Sequence, residues 1–179
     1  MYDLLIIGGG PAGTSAGVYA SRKQLKTLFI TSEWGGQSTV SDDIQNWIGS
    51  PSISGTKLAE SFRQHLETYA GEHVVIRAGQ IATALKKTDD GYEVTLSDGS
   101  AHTAKAVLIC SGSQRRKLEV TGADLFEHKG VTYCASCDGP VFAGQDVAVI
   151  GGGNAGFETA AQLLAYAKSV TLLQYGPSF

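Results

Sequence analysis

Tyr2-Asp3-Leu4-Leu5-Ile6-Ile7-Gly8-Gly9-Gly10-Pro11-Ala12-Gly13 decides the fold. A short apolar run stopped by glycines reads as a strand buried on both faces. Thr14 to Arg22 then reads as a helix, and its small residues Ala16, Gly17 and Ala20 permit close packing on a sheet. Thr27 to Ile30 is a second apolar run. Strand, glycine turn, helix and strand within about 30 residues predict a right-handed βαβ unit with parallel strands. Gly8, Gly10 and Gly13 carry the spacing of a dinucleotide cradle. Gly8 serves the tight turn, Gly10 the approach of a pyrophosphate, and Gly13 the packing of helix on strand. The phosphates would meet the free N–H groups and positive dipole end of the helix. The acid expected about 20 positions on, to hold a ribose, falls at Glu33, with Ser32 one register away.

The same pattern returns later. Asp146 to Ile150 is an apolar strand, followed by Gly151-Gly152-Gly153-Asn154-Ala155-Gly156, a helix from Phe157 to about Ala167, and a strand from Ser169 to Leu173. Between the two cradles stands Cys134-Ala135-Ser136-Cys137-Asp138-Gly139-Pro140. Cys-x-x-Cys spacing brings two sulfurs within bonding distance in a tight loop or a first helical turn. It also tends to lower the pKa of one thiol. Asp138 is a candidate proton donor and acceptor for thiol exchange, and Gly139-Pro140 would close the turn. A dithiol between two nucleotide cradles suggests an electron path ending on the sulfurs. The rival readings are a zinc site and a pair of inert buried cysteines. Zinc wants four ligands, and with no second Cys-x-x-Cys or paired-His motif only Cys110 and His128 could complete it.

The intervening chain is read more coarsely. Trp34-Gly35-Gly36-Gln37 is a second glycine turn, and Ile44-Gln45-Asn46-Trp47-Ile48-Gly49 is a loop. The Gln37 and Asn46 amides could bond a flat polar ring, and Trp47 reads as a core plug. Ser54 is expected to cap a helix from about Thr56 to Tyr69, with Leu58, Phe62, His65, Leu66 and Tyr69 on one face. Runs at Val74 to Arg77, Gln80 to Lys87, Tyr92 to Leu96 and Ala106 to Cys110 read as strands, with turns at Asp90-Gly91 and Asp98-Gly99. They suggest an antiparallel meander inserted before the last strand of the first domain. Cys110 reads as a small buried hydrophobe, and Ser111-Gly112-Ser113 ends its strand at the crevice. Gln114 to Lys117 reads as a solvated linker.

The predicted class is therefore α/β, with two Rossmann-like dinucleotide-binding domains, residues 1–114 and 115–179. The first carries the inserted meander and the second is incomplete, because two strands and one helix do not make a stable sheet. The chain reads as a fragment of a longer protein. A net charge of -3 over 179 residues gives no reason to expect nucleic acid or an anionic membrane as partner. No apolar run approaches the ~20 residues that span a bilayer. The N-terminus has neither a basic region nor a cleavage site. Three cysteines, an odd count, are too few for a disulfide scaffold and suit a cytoplasmic redox protein.

Taken together, Gly8 to Gly13, Gly35-Gly36-Gln37, Asn46-Trp47, Gly130 to Pro140 and Gly151 to Asn154 resemble the low-molecular-weight thioredoxin reductases. They equally resemble the flavoprotein component of alkyl hydroperoxide reductase, within the pyridine nucleotide-disulfide oxidoreductases. The resemblance runs from end to end. It implies that Gly8, Gly9, Gly10, Pro11, Ala12 and Gly13 bind FAD, together with Ser32 or Glu33, Gly35, Gly36, Gln37, Asn46, Ser111 and Gly112. It implies that Gly151, Gly153, Asn154, Ala155, Gly156 and Gln174 bind a reduced nicotinamide. Electrons would pass through the flavin to Cys134–Cys137, with Cys137 facing the flavin, Cys134 attacking the partner's disulfide and Asp138 handling the proton. The partner would be thioredoxin or a thioredoxin-like protein of a peroxiredoxin system, the full-length form a homodimer, and Gln114 to Lys117 a hinge.

Three departures stand out against the family pattern. The closing FAD segment does not follow. Gln174-Tyr175-Gly176 offers no arginine for a 2′-phosphate, which favours NADH over NADPH on charge grounds. Cys110-Ser111-Gly112 replaces Ala-Thr-Gly. The alternatives are an FAD-dependent dithiol oxidase, which need not keep the second cradle, and a catalytically incomplete fragment.

Overall fold

A computed structural model describes residues 1–113, 116–127 and 129–177. Gln114 and Arg115 of the expected linker, and His128, lie outside the described residues. The chain divides into two compact units, Met1–Gln114 and Arg115–Phe179.

Unit 1 begins with β1 (Tyr2–Gly9), α1 (Pro11–Arg22) and β2 (Thr27–Trp34), continues through α2 (Gly55–Ala70) to β3 (Val74–Ala78), and ends with β4 (Ala82–Thr88), β5 (Gly91–Leu96) and β6 (Ala101–Ile109). The strand order is β3-β2-β1-β6-β5-β4. The four strands β3, β2, β1 and β6 run parallel, as βαβ crossovers require. Leu5 and Ile6, at successive positions of β1, are both fully buried, so the central strand is covered on both faces. Ile6 and Phe29 pack with Val18 of α1 and Leu66 of α2. Leu5, Leu28 and Ile30 pack instead with Val94 and Leu96 of β5.

The second face is covered by the β4–β5 hairpin, which departs from the expected meander in two ways. Val74–Ala78 is not part of it. This strand pairs parallel with β2 and closes a second βαβ crossover through α2. The last strand also starts earlier, at Ala101, and serves both arrangements. Ala104 pairs with Tyr92 antiparallel and with Tyr2 parallel, and is fully buried at that junction. A short apolar run does not encode whether its partner is parallel or antiparallel, and that ambiguity accounts for the difference.

α2 carries the expected Ser54 cap, whose hydroxyl accepts from the Lys57 N–H at 3.4 Å. Its buried stripe is Leu58, Ala59, Leu66 and Ala70. His65 and Tyr69 face outward and pack on each other, with ring centroids 5.4 Å apart. Trp47 is not a core plug: it is 38% exposed, its ring edge-on to Phe62 at 5.2 Å. Leu66, fully buried, meets Gly17 of α1. Leu66→Ala is expected to cost unit 1 about 3 kcal/mol, read as a lower urea midpoint with unchanged slope.

Unit 2 holds α3 (Ala135–Asp138), a 3-10 turn (Gly139–Phe142), β7 (Asp146–Ile150), α4 (Asn154–Leu163) and β8 (Ser169–Leu173). β7 and β8 pair in parallel from Asp146↔Ser169 to Ile150↔Leu173. Both strands have the bounds expected from sequence. The helices after the two cradles start three residues earlier than expected, at Pro11 and Asn154, so each cradle already contains the first helical turn.

Candidate functional site

In both cradles a glycine at or just past the strand end adopts a backbone conformation that only a residue without a side chain tolerates. Gly8 has φ +119° and Gly151 φ +115°. The helix then folds back onto that turn. A Cβ on Gly13 would lie 1.8 Å from the Gly8 carbonyl oxygen, and one on Gly156 would lie 1.8 Å from that of Gly151. These glycines are demanded by the protein's own backbone. The middle glycines are different. Gly10 and Gly153 are the N-caps of α1 and α4, extended and without a side-chain cap. A Cβ on Gly10 would find nothing nearer than 3.9 Å, and one on Gly153 nothing within 4 Å. The protein does not need these two positions bare, whereas a ligand lying against the helix end does.

In unit 1 the second glycine turn packs against the first at the carboxyl ends of the parallel strands. The Gly35 N–H donates to the Gly9 carbonyl at 2.9 Å, and Gly36 would place a Cβ 3.5 Å from the Gly10 Cα. Glu33 lies at the end of β2, with its backbone carbonyl against Gly9 and accepting from the Thr31 hydroxyl. Ser32 and Glu33 are both exposed, as is Gln37 in the 3-10 turn that follows. Ser111 and Gly112 come directly after β6, where the Cys110 carbonyl abuts Gly8. Cys110 is half-buried, less covered than expected, and burial pushes its thiol up. Its neighbours Leu108 and Ile109 are 41% and 61% exposed, so that end of β6 is not the buried run the sequence suggested.

Asn46 is exposed on a separate loop. An Ile44↔Ile53 bridge closes the base of that loop. The Asp43 carboxylate accepts from both Ser52 and Gln45 at 2.7 Å, which holds its carboxyl below the usual carboxylate value.

In unit 2 Cys134 and Cys137 form a disulfide. Cys137 is exposed and Cys134 is half-buried. Cys134 also borders a cavity of about 680 Å³ lined by β7, Thr132, Ala155 and Thr159. The turn is pinned from three sides. The Asp138 N–H donates to the Cys134 carbonyl at 2.9 Å, the Thr132 hydroxyl donates to Asp138 Oδ2, and the Ser136 hydroxyl donates to Gln162 of α4 at 2.8 Å. Gly139-Pro140 does not end the turn but continues it into the 3-10 segment. Gln174, directly after β8, accepts from the Gly152 N–H at 2.8 Å. Tyr175 is fully exposed. Sequence reading assigned no role to Thr132, although it lies within the Gly130 to Pro140 stretch, and missed Gln162, which belongs to no motif.

Among the described residues there is no group of three or more His, Cys, Asp and Glu side chains able to hold a metal. Among the same residues, no helix is long and apolar enough to cross a membrane.

Residues 2–179 match the family model for pyridine nucleotide-disulphide oxidoreductase. A protein named NADH dehydrogenase from Bacillus subtilis (strain 168) is 40% identical over 176 residues, which is 98% of this chain and 34% of the relative. A component of alkyl hydroperoxide reductase from Escherichia coli (strain K12) is 38% identical over 178 residues, covering 98% of this chain and 34% of its own. Among solved structures, thioredoxin reductase from Streptococcus pyogenes MGAS5005 is similar with a TM-score of 0.84 at 39% identity, over 96% of this chain and 55% of that one. Thioredoxin reductase from Giardia duodenalis reaches 0.88 at 29% identity over the same shares. The chain spans about a third of the length of its curated relatives and about half that of the solved ones.

Proposed function

The chain belongs to the pyridine nucleotide-disulphide oxidoreductase family, and on that premise we propose that it is part of an FAD-dependent disulfide reductase. Reduced nicotinamide supplies the electrons, the Cys134–Cys137 disulfide receives them, and a thioredoxin-like protein or one of a peroxiredoxin system takes them on. The observation that carries this reading is a disulfide with one exposed cysteine, in the same unit as a glycine cradle whose middle glycine, Gly153, has no protein atom within 4 Å of where its Cβ would lie.

Residues 1–114 form the FAD-binding part and residues 115–179 the nicotinamide and dithiol part. In unit 1, Gly10 and the α1 N-terminus would hold the cofactor's pyrophosphate, Ser32 or Glu33 its ribose, and Gly35, Gly36, Gln37, Asn46, Ser111 and Gly112 the rest of the cofactor. When bound, FAD would supply two-electron transfer between nicotinamide and disulfide. In unit 2, Gly151, Gly153, Asn154, Ala155 and Gly156 receive the nicotinamide pyrophosphate, with Gln174 beside the ribose. Gln174-Tyr175-Gly176 brings no cation to a 2′-phosphate, so NADH is the favoured coenzyme, in keeping with the name of the Bacillus subtilis relative. Cys137, the more exposed cysteine, would be the one to exchange electrons with the flavin. Cys134 attacks the partner, and Asp138 carries the proton. The parent enzyme is a cytoplasmic homodimer.

The test is the visible spectrum of the chain after mixing with FAD and desalting. A retained flavin band that NADH bleaches without oxygen, with two additional thiols appearing beyond Cys110, is the expected result. Bleaching without new thiols would sink the disulfide route, and a colourless chain would sink FAD binding by this chain.

A further inference from the structure

We propose that Thr132 positions Asp138 for the proton transfers of thiol–disulfide exchange at Cys134 and Cys137. The inference rests on the disulfide-reductase reading above. Thr132 precedes Cys134 by two residues, and Asp138 follows Cys137 as the last residue of α3. The Thr132 hydroxyl donates to Asp138 Oδ2 across the dithiol turn, while the Asp138 N–H donates to the Cys134 carbonyl. The carboxylate is therefore tied through both backbone and side chain. A short side chain at the end of a single helical turn otherwise samples several staggered rotamers. A hydroxyl has one hydrogen to give. Spent on Oδ2, it fixes the carboxylate and leaves Oδ1 to take a proton. Both residues are half-buried, and Asp138 directly follows the exposed Cys137 in the chain.

The exchange runs as follows in the reduced dithiol. Cys134, its proton lost to solvent, attacks a disulfide sulfur of the partner. A mixed disulfide forms, the partner's S–S bond breaks, and the first leaving thiolate takes a proton from solvent. The Cys137 thiol then gives its proton to Asp138 Oδ1, and its sulfur attacks that of Cys134. The Cys134–Cys137 bond forms, the mixed disulfide breaks, and the second leaving thiolate takes the proton back from Asp138. Two electrons pass from the dithiol to the partner disulfide. Thr132 acts only on the second step, through the carboxylate it holds.

The experiment uses the 179-residue chain, reduced, desalted and mixed with oxidised glutathione, then quenched in acid and read by mass spectrometry with peptide mapping. Thr132→Val is expected to slow ring closure about tenfold, part of what a placed acid–base group contributes. The Cys134–glutathione adduct should then accumulate while its rate of formation stays the same. Thr132→Ser, which keeps the hydroxyl, should restore closure. In an Asp138→Ala chain, adding Thr132→Val should change nothing further, a result that loss of packing would not give. Ring closure at the parent rate in Thr132→Val overturns the proposal, as does a Thr132→Ser chain as slow as the valine variant. If Thr132→Val does not fold by circular dichroism, Thr132→Ala is read by the same criteria. A Cys137→Ser chain that forms no adduct at Cys134 would overturn the disulfide-exchange reading itself, whatever Thr132 does.

Discussion

Gly10→Ala is expected to leave unit 1 folded and to abolish flavin retention, while Gly13→Ala is expected to unfold the unit. The two glycines stand three residues apart in one motif, and the difference lies in what surrounds each. A Cβ on Gly13 would sit 1.8 Å from the Gly8 carbonyl oxygen, with Cys110 Cβ at 3.3 Å. Neither backbone can yield, because Gly8 lies at the end of β1, just before the turn into α1, and its own φ of +119° already confines the residues that fit there. Overpacking of a core costs about 1–3 kcal/mol. A clash of backbone with backbone lies at or beyond the upper end, a large share of the roughly 5–15 kcal/mol that holds a domain together. Gly10 has an ordinary φ of -77°, and its Cβ would make only ordinary van der Waals contact, with the Gly35 carbonyl oxygen at 3.9 Å. Alanine there costs at most about 1 kcal/mol, as a poorer N-cap. What it does remove is the approach of a pyrophosphate to the end of α1. Urea titration separates the first effect and the spectrum after desalting separates the second. A Gly10→Ala chain that keeps its flavin would mean that the cradle does not hold the pyrophosphate. Gly153 and Gly156 form the same pair in unit 2, read by NADH binding.

What the sequence discloses follows the range of the interaction. β7 and β8 end where an aspartate or serine meets an apolar run and where glycine or glutamine stops it, and both bounds are readable. The α2 cap is equally local. The helix starts differ from expectation although the signal is present. Pro11 suits the first helical position because its missing N–H would go unpaired there anyway, but glycine-rich sequence around it reads as loop. β3 is another matter, since a short apolar run such as Val74-Val75-Ile76 does not name its partner and only its non-local pairing makes it parallel. Trp47 shows the same limit: an aromatic in a loop predicts burial, and only the fold shows that its neighbour is the half-buried Phe62. At the dithiol, the cysteines and Asp138 form a contiguous motif. Thr132 lies in the same stretch but its bond to Asp138 is not written in the sequence, and Gln162 reaches Ser136 from 26 residues away, at a spacing no motif specifies.

Cys137→Ser is expected to abolish disulfide reduction by the complete enzyme while leaving NADH-dependent bleaching of the bound flavin intact. The disulfide closes a loop of only four residues, for which chain entropy gives about 2 kcal/mol. A bond so short in span is a weak staple, and its loss leaves the turn held by Thr132, Gln162 and the Cys134 carbonyl. The serine chain should therefore remain folded, and any loss of turnover is chemical. Serine cannot pair with Cys134, so electrons have no disulfide to enter and a mixed disulfide at Cys134 has no second thiol to resolve it. Turnover of a protein disulfide should fall to the rate of the uncatalysed exchange. Coenzyme oxidation by a small artificial acceptor, which needs no dithiol, should continue. The two assays on one protein isolate the sulfur step from everything before it. Disulfide turnover surviving at the parent rate would mean that electrons leave by a route other than these two sulfurs, and the roles given to Cys134, Cys137 and Asp138 would fall together.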